Sequence, residues 1–271
     1  MSLLPPRPDP PRPDLLPAPP SYGSLDARPG PPAATWRWWE ILLVGLGALI
    51  VGTIPAIGVY VAFGQDPTST GRLDGVDFLA NAVDQVVVVL LLVGYLSWRH
   101  PGWRRAVRPA SLRSLPRELG IGLVCGVAMT FALGILISLV LEPLFRAVTD
   151  RDVTPAEQIG SGITGWEAVA FVVAVVVVAP IAEEFFYRGL FFRALRDRYN
   201  FWVGGLGSGA LFAVSHTGDG DLAQILLLQI AIGLFGVALA AIYEWRGSLG
   251  ANIAAHAAFN LVTVLTVLKV F

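Results

Sequence analysis

Seven apolar stretches fill this chain from residue 39 onward, most of them close to the roughly 20 residues an α-helix needs to cross the hydrocarbon core of a bilayer. They predict helices over 39–63, 78–98, 119–142, 166–196, 201–217, 222–244 and 247–269. The fourth is longer than one crossing requires and the fifth is shorter. Hydrophobic residues make up 55% of the chain and charged residues only 14%, where a soluble domain carries about 25% charged. The expected fold class is therefore all-α, a polytopic transmembrane helical bundle of about seven helices with the lipid bilayer as its solvent.

Twelve of the twenty prolines fall in residues 1–35, nearly continuous from Pro5 to Pro13. Such a segment cannot bury apolar surface, so residues 1–38 are expected to form a disordered tail of polyproline character. Its partner, if it has one, is not named by the sequence. Residues 39–165 then form N-terminal transmembrane helices and 166–271 a C-terminal core. Residues 1–20 lack the apolar run of a signal peptide. Arginine asymmetry predicts the orientation. The 97–117 connection holds Arg99, Arg104, Arg105, Arg108, Arg113 and Arg117 without an acid, and Arg193, Arg196 and Arg198 follow the fourth helix. The 64–77 and 217–221 connections are acidic, with Asp66, Asp74, Asp77, Asp219 and Asp221 against Arg72. This pattern places the N-terminus in the cytoplasm and the C-terminus outside. Trp36, Trp38, Trp39, Trp98 and Trp103 fall at the expected interfaces. Lys269 is the sole lysine, a bias that suggests a GC-rich genome and a bacterial plasma membrane. A net charge of −1 provides no basic surface for nucleic acid, and the single Cys125 excludes a disulfide framework. Gly122–Gly126 and Gly205–Gly209 have the small-residue spacing of close helix packing.

Against this apolar background a few polar residues stand out. After the run Val172–Val178, the fourth helix reads Pro180-Ile-Ala-Glu183-Glu184-Phe-Phe-Tyr-Arg188. A charged group at a helix centre costs roughly 2.5–3.5 kcal/mol on insertion scales, so such groups persist where they pair or work. Glu184 and Arg188 are four residues apart and share a face, which suits an ion pair. Glu183 points about 100° away, toward a different partner. Pro180 removes a backbone hydrogen bond just before the carboxylates and can bend the helix. Were the helix to end at Pro180, these charges would be a solvated face, but Gly189 to Leu195 continues the apolar helical pattern. Phe212 and His216 share a face near the end of the fifth helix, as do His256 and Asn260 on the seventh. At 1.5 Å per residue, Glu183, His216 and His256 lie roughly 18, 22 and 12 Å from the cytoplasmic ends of their helices, so one shared site at middle depth is expected.

Glu-Glu-x-x-x-Arg, then Phe-x-x-x-His, then His-x-x-x-Asn, here Glu183–Arg188, Phe212–His216 and His256–Asn260, resembles the CPBP family, the CAAX-protease and bacteriocin-processing intramembrane proteases. The resemblance covers about 166–271 and implies an endopeptidase acting on a membrane-associated protein or peptide. It implies Glu183 as general base on water, His216 as a second contact to that water, His256 and Asn260 as donors to the oxyanion, and Glu184 with Arg188 as the pair that orients them. Members of this family are often labelled metalloproteases. Glu183, His216 and His256 would be the ligands of a zinc ion. No His-Glu-x-x-His is present, and a metal-free Glu/His mechanism fits the same residues. A non-catalytic immunity or scaffold protein of the same fold, and an ion or proton transporter, are the alternative readings of an intramembrane polar cluster.

Overall fold

The computed structural model describes residues 33–68, 73–107, 111, 113–156, 163–216 and 218–268. Eight helices follow one another among them. They are α1 (Trp38–Phe63), α2 (Gly75–Arg99), the short α3 (Trp103–Val107), α4 (Leu115–Thr149), α5 (Gly165–Arg198), α6 (Phe201–Val214), α7 (Leu222–Arg246) and α8 (Leu249–Val267). All but α3 and α6 are long and apolar enough to cross a membrane. The all-α bundle expected from the apolar runs is what forms.

Local chemistry accounts for the boundaries. Asp74, Asn200, Asp221 and Ser248 each precede a helix and accept from its first backbone N–H groups. Gly64 and Gly247 end α1 and α7 at positive φ, which only glycine adopts without strain. Two helices depart from the expected bounds. α4 continues to Thr149 through a π turn at Ile137–Leu141, just ahead of Pro143. A wider turn absorbs the N–H that proline lacks, so the helix bends instead of stopping. α6 ends at Val214, which leaves His216 in the turn after the helix, its N–H on the carbonyl of Ala213. The glycine-rich sequence from 218 favours this early stop.

Leu43, Leu46, Ile50 and Ile54 on α1 and Val124, Phe131, Ile135 and Leu139 on α4 are exposed, an outward apolar belt far larger than a soluble protein leaves bare. The closest packing is that of α4 on α8. It depends on Gly122 and Gly126, where a Cβ would collide with the carbonyls of Ala251 and Ala255. Gly209 of α6 meets α7 at Gly233 and Gly236 in the same manner. These glycines set how near α8 and α7, which face the polar residues of α5, come to their neighbours.

The tail expected over 1–38 lies outside the described residues up to residue 32. Its last residues are packed against the bundle, and Trp36, expected at an interface, is 3% exposed within a core cluster with Leu190 and Phe192.

Candidate active site

α5 carries the carboxylates, and its backbone is irregular where they sit. It winds as a π-helix over Val173–Val178, as an α-helix over Ala179–Glu183, and again as a π-helix over Glu184–Phe192. In the first wide stretch the Ala179 N–H bonds the carbonyl of Ala174, five residues back. The next donor in that ladder is Pro180, which has none, so the carbonyl of Val175 is left over. Asn260 of α8 fills the gap, its Nδ2 donating to the Val175 oxygen at 2.8 Å. The sequence suggests a bend at Pro180, but not which residue repairs it.

Glu184 and Arg188 are both fully buried. Arg188 Nη1 donates to Glu184 Oε1 at 2.7 Å, and its Nη2 to the carbonyl of Gly236 on α7 at 3.0 Å. The guanidinium also lies 4.6 Å from the ring centre of Phe212. Two residues of α8 complete the shell of Glu184. Asn252 Nδ2 donates to Oε2 at 2.6 Å, and His256 Nδ1 stands 2.9 Å from Oε1. Two charges taken out of water are stable together only with such further hydrogen bonds.

His256 joins the two carboxylates. With Nδ1 on Glu184, its Nε2 lies 3.7 Å from Glu183 Oε2. His216 approaches the same oxygen from the turn after α6, with Nε2 at 3.9 Å. Its Nδ1 is 2.7 Å from the carbonyl of Phe212, which can only accept, so that nitrogen bears the proton. By the same reasoning the His256 proton facing Glu184 sits on Nδ1. In their neutral forms both rings then turn an Nε2 lone pair toward Glu183. Gln229 of α7 holds the turn by donating to the His216 carbonyl, and Tyr187 bonds the hydroxyl of Ser215. Phe212 and Phe235 wall the cluster with edge and tilted contacts to the two imidazoles, and Phe259 stacks on Phe235. Of the cluster, Glu183 and His216 retain side-chain exposure, 16% and 25%.

The structure thus brings Glu183, Glu184, Arg188, His216 and His256 together, and seats Asn260 one step away on the α5 backbone. Asn252 was not anticipated. Its signal lies in its spacing, since Asn252, His256 and Asn260 recur every four residues on α8. Among the described residues no group of three His, Cys, Asp or Glu side chains is arranged to hold a metal ion. Ligand atoms on one tetrahedral zinc at about 2.0–2.1 Å stand roughly 3.3–3.4 Å apart. The gaps of 3.7 and 3.9 Å from Glu183 to the two histidines are wider than that.

A family model, type II CAAX prenyl endopeptidase Rce1-like, matches residues 165–262. Residues 165–262 are thus similar to an Rce1-like domain. The match starts with α5 and ends within α8, so it spans every side chain of the polar cluster and agrees with the resemblance drawn from the three motifs. No curated protein and no solved structure matches the chain. The matched model describes a peptidase family, and the groups around Glu183 lie within the matched stretch.

Proposed function

We propose that this protein is an intramembrane endopeptidase that cleaves a membrane-associated protein or peptide with a water activated by Glu183. The observation that carries this reading is the convergence of one carboxylate oxygen and two imidazole lone pairs inside the Rce1-like stretch. Three acceptors around one point suit a water, which donates to two of them and turns its own lone pair outward. At about 2.8 Å from each, one water can touch Glu183 and either histidine across gaps of 3.7–3.9 Å.

Attack on a substrate carbonyl transfers a water proton to Glu183. That proton passes from Glu183 to the facing Nε2 of His256, which donates it to the oxyanion while Glu184 steadies the imidazolium through Nδ1; it then returns through Glu183 to the leaving amine as the C–N bond breaks. Arg188 and Asn252 fix Glu184 in that task. Asn260 is assigned to the backbone of α5 through Val175 rather than to substrate. The donor spacing supports a mechanism without a metal. The arginine-rich connection after α2 supports a cytoplasmic N-terminus, which turns the His216 side of the site outward.

The test is cleavage of quenched peptides by the purified protein in detergent and in liposomes, with Glu183→Gln and His256→Ala beside wild type. Turnover lost in both, with a cooperative unfolding transition retained, is the expected result. Turnover that survives Glu183→Gln refutes the assignment. Loss of activity to a zinc chelator, restored by zinc, would overturn the metal-free route.

A further inference from the structure

The second π stretch of α5 returns to α winding after Phe192. At this change the Arg193 N–H turns to the Leu190 carbonyl, three residues back. The second lone pair of that carbonyl takes a donor from outside the helix, Trp36. Its Nε1 donates to the carbonyl of Leu190 at 3.0 Å in the buried interior. Leu190 lies two residues beyond Arg188. The residues just before Trp36 are fixed as well. The Ala34 N–H donates to Asp197 Oδ2 at 2.9 Å, and the Thr35 hydroxyl meets His100 Nδ1 at 3.2 Å. His100 in turn contacts Glu40 of α1 at 2.9 Å through Nε2. Three consecutive residues therefore reach three anchors, two on α5 and one at the end of α2. A segment that merely led into α1 would need none of them.

We propose that Ala34–Trp36 is a strap that clamps the irregular half of α5, and that the Trp36 indole is a positioning residue for Glu184, Arg188 and His256. It acts through the Leu190 carbonyl and touches no reacting atom. Asn260 and Trp36 then pin α5 on either side of its carboxylates, one from α8 and one from the segment ahead of α1. The inference rests on the peptidase reading only for what the positioned groups do.

The full-length protein with Trp36→Phe keeps an aromatic ring and loses the N–H. Incorporating 3-benzothienylalanine at 36 replaces only the N–H by sulfur, and serves where the smaller ring disturbs folding. Trp202→Phe, an exposed tryptophan on α6, is the control. Hydrogen exchange of the 184–192 amides should accelerate about fivefold in the position-36 variants, the scale of one net hydrogen bond, with α7 unchanged. Peptide cleavage should lose kcat at constant KM. Unaltered exchange over 184–192, acceleration spread equally over all helices, or an active enzyme with unchanged kcat overturns the proposal. A wild-type protein that cleaves nothing counts against the peptidase reading, while the exchange comparison still decides the strap.

Discussion

Replacing Arg188 by methionine tests whether the buried pair holds the site together. Arg188 and Glu184 are both 0% exposed and bonded at 2.7 Å. Methionine keeps an apolar stem of similar reach and removes the guanidinium. Glu184 then retains Asn252 and His256 but loses its one permanently charged donor, and the Gly236 carbonyl loses its partner. Breaking one side of a buried pair costs about 3–5 kcal/mol, most of it from the charge left behind. At about 2–4 °C per kcal/mol for a chain of this size, the unfolding midpoint should fall by roughly 6–20 °C. Thermal unfolding in one detergent, followed by tryptophan fluorescence, measures it. Adding Glu184→Gln removes the stranded charge, so the double variant should be several kcal/mol more stable than the two single losses would sum to. A midpoint within 2–4 °C of wild type for Arg188→Met, about 1 kcal/mol, or losses that simply add, would refute the argument.

Asn260→Leu strands the Val175 carbonyl and should cost about 1–3 kcal/mol in unfolding, while Pro180→Ala in the same chain returns an N–H to the ladder and recovers part of it; no recovery would mean that the amide does other work. Gly126→Leu forces a side chain into the Ala255 carbonyl, so α4 and α8 must separate, and a stability loss of about 1–3 kcal/mol should accompany slower peptide cleavage as His256 shifts; wild-type values for both would show the contact to be slack. Outside the membrane, the Arg151 side chain and the N–H groups of Gln224 and Ala223 hold the Asp221 carboxyl below its ordinary 3.8. Its folded value is depressed, so its stabilising contribution is full above pH 3.8 and fades as the pH falls through the lowered value. Amides of 151–156 should therefore exchange faster on acidification below that point, after correction for intrinsic rates, and Asp221→Asn should abolish the step.

The helical class and the course of the crossings were legible because lipid leaves an apolar chain few options. Runs of Val, Leu and Ile between Gly, Pro and Asp punctuation set α1, α2 and α7 to within a few residues. The ends of α4 and α6 were less legible. A proline can stop a helix or be absorbed in a π turn, and packing decides between the two. The Glu184–Arg188 pair followed from spacing on one helix, since residues four apart meet whatever surrounds them. The distinct direction of Glu183 followed in the same way.

What residues from separate helices do to one another was beyond the sequence. Histidines forty residues apart converge on one carboxylate oxygen only because Gly122 and Gly126 let α8 approach α4, and because α6 stops at Val214 and turns His216 inward. Asn252 and Trp36 looked like an ordinary helix residue and an interfacial tryptophan. Their importance arises from carbonyl and carboxylate partners 68 and 154 positions away in the chain. Local chemistry determined which polar groups must lie in the membrane, because a charge there has no water. The tertiary structure decided which of them face each other, because in a medium that satisfies no polar group each donor is committed to the acceptor that packing brings within reach.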